Sequence, residues 1–360
     1  MSAADARTAA LQGPKARAPI LDAAALPALF ASFLAHDAIL LAVSGGPDST
    51  ALAYLAATWC RARLAEGLPA PRLFAATVDH GLRAEAAREA QAVAALCATL
   101  DMPHATLAWE GGKPAHGLQA AARTARYALL MDEARAKGAT ALALAHTEDD
   151  QAETVLFRLA RGSGLTGLAA MRPQSRREEL TLLRPLLSVP KVRLVATLAA
   201  AGVGFAEDPS NTDPRFTRPR LRALAPLLAT EGLDASGLSR LARRMARADA
   251  ALEAAVDAAV ADLSRAPWIE AEPVRLDLAG FFRLPEEIAL RLLNRAVDFK
   301  GHEGPAELAK LEALLGYLRA AGEGEPAAFR RTLAGALVAI HKAALTVTGA
   351  PERGKMRPSR

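Results

Sequence analysis

The stretch Ser44-Gly45-Gly46-Pro47-Asp48-Ser49-Thr50 contains the residue types that can hold a chain of phosphates. Two consecutive glycines let the backbone turn sharply and approach a ligand closely. Where a strand gives way to a helix, successive N–H groups point into one concavity at the positive end of the helix dipole. Ser44, Ser49 and Thr50 add hydroxyl donors, and Asp48 adds a carboxylate. The chemistry is that of a pyrophosphate cradle. It is not the GxxxxGK loop, because no lysine follows the glycines, and GxGxxG is also absent. The plainer reading is a tight strand-to-helix turn capped by Asp48 or Ser49.

A second cluster runs from Ala145 to Thr154. Asp150 and Glu153 are three apart and Asp149 and Glu153 four apart, so the carboxylates share a helix face. Such a group can hold Mg²⁺ or grip an amine. Thr147 with Asp150 also spells a T-x-x-D capping box, which would leave Asp149 and Glu153 unexplained. His146 in isolation reads as a core histidine. A third signal, Val78-Asp79-His80-Gly81, ends a strand-like run. A fourth is basic: Arg215, Arg218, Arg220 and Arg222 follow Asp208-Pro209-Ser210-Asn211-Thr212-Asp213, and Arg240, Arg243, Arg244 and Arg247 line one side of a helix whose other side carries Leu238, Leu241, Met245 and Leu252. Arginine forks suit phosphates, but either group also reads as a solvated face.

The elements that must position these residues alternate. Strand-like runs at 38–43, 73–78, 104–109 and 141–145 are separated by helix-like runs at 48–66, 83–100 and 119–137, and a further helix covers 149–160. Leu180 to Leu187 is a candidate fifth strand interrupted by Arg184-Pro185, and Val189 to Ala201 another helix. Alternation of this kind predicts an α/β fold, an open parallel sheet with helices on both faces, followed by a smaller helical domain. Ligands in such sheets lie beyond the carboxyl ends of the strands. Ser44-Gly45-Gly46, Asp79-His80 and His146 all fall at strand ends and should meet in one crevice. The predicted organisation is a flexible tail over 1–20, a catalytic domain over 21–222, a helical domain over 223–322, a hairpin-like segment over 323–348 with a turn near His341-Lys342, and a basic tail over 349–360.

Composition permits this. The 360 residues are 51% hydrophobic but only 4% aromatic, so the core must rest on Ala, Leu and Val. A net charge of +5 favours a polyanionic partner weakly. The two cysteines, Cys60 and Cys97, form no CxxC pair and read as small core residues, which fits a reducing, cytoplasmic setting. No apolar run is long enough to span a bilayer, and the N-terminus lacks the apolar stretch of a secretory signal.

The glycine loop resembles the PP-loop of the ATP pyrophosphatase superfamily, whose members cleave ATP between its α- and β-phosphates, adenylate a carbonyl oxygen and let a nucleophile displace AMP. The wider set resembles the bacterial tRNA(Ile)-lysidine synthetase family: SGGPDST (44–50), VDHGLR (78–83), LQAAARTARY (118–127), LAHTEDDQAETVLFRLARGSGLTGLAAM (144–171), RPLL (184–187) and EDPSNTDPRFTRPRLR (207–222). The resemblance implies an ATP-dependent carbon–nitrogen ligase. It would adenylate the wobble cytidine of a CAU-anticodon tRNA(Ile) and join the ε-amino group of free lysine to it. It implies ATP binding at Ser44, Gly45, Gly46, Pro47, Asp48, Ser49, Thr50, Asp79 and His80, and lysine binding at Asp150, Glu153 and Arg184. Catalytic roles fall to Asp48, His146, Asp150, Glu153 and Arg220. Mg²⁺ would lie on Asp48 and Asp149, and tRNA on Arg218, Arg220, Arg222, Arg240, Arg243, Arg244 and Arg247. Two rivals on the same fold are a tRNA thiolase, which would need clustered cysteines, and a ligase acting on a small molecule. The oligomeric state is left open, a homodimer included.

Overall fold

The computed structural model describes residues 18–81, 86–114, 117–206, 217–322 and 329–351. Two compact units divide the chain. One runs to Arg243 except for Gly164–Thr166; the other comprises those three residues and the chain from Arg244 onward.

The first unit is built on a six-stranded sheet. Its strands are β1 (Ala38–Ala42), β2 (Arg72–Asp79), β3 (His104–Ala108), β4 (Ala141–Ala143), β5 (Gln174–Arg177) and β6 (Leu180–Leu183), in the order β3-β2-β1-β4-β6-β5. All neighbours are parallel except β5 and β6. After short helical turns within 23–35, the helices are α1 (Pro47–Ala65), α2 (Ala86–Thr99), α3 (Leu118–Ala136), α4 (Glu148–Leu159), α5 (Leu165–Leu168), α6 (Lys191–Ala201), α7 (Thr217–Thr230) and α8 (Ala235–Leu263). The boundary between the units falls inside α8.

Alternation along β1 shows why the sheet is covered on both faces. Ile39 and Leu41 join a cluster with Leu52 of α1, Val93 and Cys97 of α2, and Leu194 and Leu198 of α6. Ala38, Leu40 and Ala42 pack on the other face against Tyr127, Leu130 and Met131 of α3. Every residue of β1 is therefore buried, as a central parallel strand requires. Cys60 and Cys97 are buried and unpaired, each with its thiol pushed up to about 11, mainly by burial.

The expected fifth strand differs in length and setting. It stops at Leu183, because Arg184 N bonds back to Pro173 and Pro185 has no N–H to continue a ladder. It is also half of an antiparallel hairpin with β5. That hairpin turns at Glu178, a non-glycine residue with φ of 52°, so no Asn-Gly or Asp-Gly pair marks it.

The second unit contains the later part of α8, β7 (Val274–Asp277), α9 (Leu278–Arg283), α10 (Glu286–Lys300), α11 (Leu308–Gly322), β8 (Arg330–Leu333), β9 (Ala336–His341) and β10 (Ala344–Gly349). The four strands form one antiparallel sheet in the order β7-β10-β9-β8. Val274, Leu276, Val338, Leu345 and Val347 of the sheet meet Leu292, Leu293 and Val297 of α10 and Leu314 and Leu318 of α11. A stretch that reads as wholly helical thus includes β7. The 323–328 portion of the hairpin-like segment, the terminal tails through 17 and from 352, and the Glu207–Phe216 stretch with Asp208, Asp213 and Arg215 lie outside the described residues. Among the described residues, no helix is long and apolar enough to cross a membrane.

Candidate active site

The glycine loop leaves β1 and opens α1. Gly46 is the N-cap and Pro47 the first helical residue, where a missing N–H costs nothing. Gly45 has φ of +87°, and a Cβ there would sit 3.2 Å from Val93 Cγ2, so glycine is needed for both conformation and space. Ser49 organises the loop. Its hydroxyl accepts from Ser44 N at 3.1 Å, lies 3.2 Å from Ser44 Oγ and donates to Gly46 O at 3.1 Å. Thr50 is buried and spends its hydroxyl on Gly45 O at 3.2 Å.

α4 follows β4 in the same way, and here the capping box forms. Thr147 N and Oγ1 donate to Asp150 Oδ2 at 2.8 and 3.0 Å, and Asp150 N donates back to Thr147 Oγ1 at 3.4 Å. The helix-start reading and the chemical reading therefore coexist, since the capping Asp150 also lines the cavity. Asp149 Oδ2 accepts from Lys191 N at 2.7 Å, at the start of α6. Lys191 Nζ reaches Asp48 Oδ2 at 3.1 Å. Arg222 Nε of α7 donates to Glu153 Oε1 at 2.6 Å.

These groups surround one cavity of about 1120 Å³. Ser44, Gly46, Pro47, Asp48 and Ser49 form one wall and His146, Asp149, Asp150 and Glu153 another, while Leu221, Ala225, Leu233 and Leu238 make an apolar end. The volume exceeds the roughly 300–1,000 Å³ of a pocket for one small ligand, so a nucleotide and a second substrate can share it.

Several buried atoms at this end of the sheet have no hydrogen-bond partner among the described residues: Asp48 Oδ1, His80 Nδ1, His146 Nδ1 and Arg184 Nε. Burial raises the Asp48 carboxyl above its usual range; Lys191 opposes this, and Asp150 and Asp149 add to it. Burial drives His146 down to about 4, against the pull of Asp150 and with help from Arg184 and Arg126. His146 is thus a neutral ring at ordinary pH. His80 is lowered by burial and by Arg126. The unpartnered, buried Asp48 Oδ1 is an oxygen that suits a hard cation. One Asp149 oxygen is already committed to Lys191. Among the described residues, no three His, Cys, Asp or Glu side chains form a metal cage by themselves.

Not every expected residue meets the cavity. Gly45, Thr50, Asp79, His80, Arg184 and Arg220 do not line it. Asp79 Oδ1 accepts from Gly81 N at 2.8 Å, and His80 stands edge-on to Trp109. Arg184 Nη1 donates to Arg172 O at 2.9 Å and Ser175 Oγ at 3.0 Å, tying β6 to the β5 side. Arg220 and the basic face Arg240, Arg243, Arg244 and Arg247 are exposed. Arg240 and Arg243 lean on Ser236 and Ser239. The Arg218 side chain lies outside the described residues. Lining residues that the sequence does not single out include Gln119, Arg126 and Lys191. Among the described residues Arg126 has no acidic partner. Its position near the middle of α3, inside LQAAARTARY, is the available signal.

Comparison with known proteins agrees with this geometry. A family model described as the PP-loop domain matches residues 22–228. The chain is 52% identical over 343 residues to the tRNA(Ile)-lysidine synthase of Bradyrhizobium diazoefficiens, covering 90% of this chain and 93% of that protein. It is 53% identical over 335 residues to that of Rhodopseudomonas palustris, covering 91% and 95%. Among solved structures, the U34-tRNA thiolase NcsA of Methanococcus maripaludis superposes with a TM-score of 0.51 at 17% identity, over 62% of this chain and 77% of that one; that likeness speaks for the fold alone. With a loop, a cavity and relatives of this kind, the chain belongs to the PP-loop family, in the branch formed by the tRNA(Ile)-lysidine synthases.

Proposed function

We propose that the chain joins lysine to the wobble cytidine of a CAU-anticodon tRNA(Ile) at the expense of ATP. The observation that carries this is the single cavity in which a phosphate-cradling loop faces Asp149, Asp150 and Glu153. In the first step the cytidine carbonyl oxygen attacks the α-phosphorus. The bond to the β-phosphate breaks, and pyrophosphate leaves into the Ser44–Ser49 loop, whose N–H groups and hydroxyls face it. In the second step the lysine ε-amino nitrogen attacks the ring carbon that bore the oxygen. The carbon–oxygen bond breaks, AMP leaves with the electron pair, and the amine loses a proton.

Asp150 and Glu153 hold the incoming ammonium. Asp150, with one oxygen pinned by Thr147, is oriented to take the proton. The lysine ammonium takes the position that Arg222 holds at Glu153. His146, neutral and unpartnered at Nδ1, offers the base a hydrogen bond without adding a charge. Mg²⁺ held by Asp48 and Asp149 would supply charge neutralisation at the phosphates. The exposed arginines Arg220, Arg240, Arg243, Arg244 and Arg247, with Arg218, are the tRNA backbone contacts.

Mass spectrometry of nuclease-digested tRNA after incubation with ATP and lysine tests the reading. A wobble cytidine heavier by lysine minus water is expected. Asp150→Asn should still bind ATP but transfer no lysine. An unchanged cytidine, or a sulfur-bearing product, would overturn the assignment.

A further inference from the structure

We propose that Lys191 is the cationic ligand of the departing pyrophosphate, the positive charge that the glycine loop itself lacks. The proposal rests on the reading of that loop as an ATP cradle. Residues 44–50 contain no lysine or arginine, so the loop itself offers a leaving group of several negative charges only N–H groups and hydroxyls, beside the charge that Mg²⁺ would supply. Lys191 arrives from far along the chain. It is the first residue of α6 after Pro190, and its backbone N–H is fixed by Asp149 Oδ2 at 2.7 Å. The root of the side chain is thereby anchored to the acidic wall, while the tip lies at the phosphate wall, 3.1 Å from Asp48 Oδ2.

Three features make this more than a surface ion pair. First, the pair is loosely held: the Lys191 side chain is 46% exposed and that of Asp48 25%, and an ion pair that water reaches contributes little. A phosphate chain can therefore take the ammonium over. Second, the other oxygen of Asp48 is buried with no hydrogen-bond partner among the described residues, so the carboxylate stays available to a second ligand while Lys191 turns to the phosphate. Third, the remaining cations of the cavity are placed elsewhere, Arg222 on Glu153 and Arg126 on α3. A flexible four-carbon stem then lets the ammonium follow the phosphate as the bond to the α-phosphate breaks. The contribution of Lys191 is charge, and the electron pair of the broken bond goes to the pyrophosphate oxygen.

Calorimetry with inorganic pyrophosphate and with AMP on the full chain tests this without turnover. Lys191→Met should weaken pyrophosphate binding tenfold or more and leave AMP within twofold, and Lys191→Arg should restore pyrophosphate to within about threefold of the wild type. Lys191→Gln serves as the second variant should the Met form be unstable. Equal loss of both ligands would show a structural role. Unchanged pyrophosphate binding, or none even in the wild type, would equally overturn the proposal. Because lysine and tRNA are absent, a failure of lysine transfer in the separate product assay leaves this result standing, and the reverse also holds.

Discussion

Two clusters of buried charge, one in each unit, are resolved in opposite ways. In the second unit Arg291 donates to Asp249 at 2.8 Å, to Glu253 at 2.7 Å and to Glu287 at 2.7 Å, and Thr166 Oγ1 joins at 3.2 Å while itself donating to Asp249 at 2.7 Å. Arg295 extends the network to Glu253 and Asp257. Burial alone would lower the Arg291 guanidinium, but its bonds to Asp249, Glu287 and Glu253 overcome that and raise it. At the candidate site's cavity in the first unit, Asp48 and His146 keep buried polar atoms that no described residue matches. Matched charge holds a fold together; unmatched charge at a cavity is held ready for a ligand.

The contrast breaks if mutations in the two clusters behave alike. Arg291 is only 11% exposed and Asp249 1%. Arg291→Met strips a buried carboxylate of its guanidinium and should cost about 3–5 kcal/mol of stability, read by urea unfolding, while lysidine formation per folded molecule stays near normal. Asp48→Asn should do the reverse. Lysidine formation should fall on the order of 10²–10³-fold, yet stability should hold or rise slightly, since the substitution removes a carboxylate that burial disfavours. A stable Arg291→Met protein, or an Asp48→Asn protein that unfolds easily, would erase the distinction.

How much of this could be read from the sequence follows the same division. The parallel core was legible because β1 to β4 are apolar runs between helix-length segments, and the cradle and acidic cluster were legible because both fall at strand ends. The β5–β6 hairpin was not, since its turn uses Glu178 instead of glycine. Nor was β7, four residues of alternating burial inside a helical stretch. At the site, Lys191 and Arg126 were missed because a lone cation forms no pattern until folding brings it across the chain. Lys191 and Asp48 are 143 residues apart. Arg184 is divided: its place in a matching RPLL segment suggests a ligand contact, its Nη1 is taken up by Arg172 O and Ser175 Oγ, and its Nε is buried with no partner among the described residues.

The contrast sharpens in acid, where His146 serves as the probe. An unfolded histidine takes a proton near its ordinary value of about 6.5, whereas folded His146 holds off until about 4. Between those values the unfolded chain binds more protons, so stability must fall as pH drops from about 6.5 towards 4. The loss attributable to this ring is on the order of 3 kcal/mol. His146→Asn removes the group and should flatten the acid side of the stability curve, measured as denaturant midpoint against pH. The same shift keeps His146 uncharged from pH 5 to 8, so it should add no limb to the rate profile there. An acid limb near 6.5 that vanishes in His146→Asn would mean the ring is solvated and the cavity is not desolvating its groups.

The smallest expected effect concerns a second ion pair at the cavity beside Lys191–Asp48, that of Glu153 with Arg222. Arg222 is raised first by its bond to Glu153, and Asp150 and Asp48 contribute at longer range. With Arg222 51% exposed and Glu153 12%, the pair is worth roughly 0–1 kcal/mol. If Arg222 occupies the place of the substrate ammonium, Arg222→Gln should tighten lysine binding to the tRNA-free protein by no more than about fivefold, as read by calorimetry, while Glu153→Gln should weaken it. The direction is informative because an arginine that served only the tRNA would leave lysine affinity untouched. One that supported the site structurally would lower it. Weaker lysine binding in Arg222→Gln would therefore move this pair out of the catalytic cavity's logic and into that of Arg291, as a charge matched for the sake of the fold.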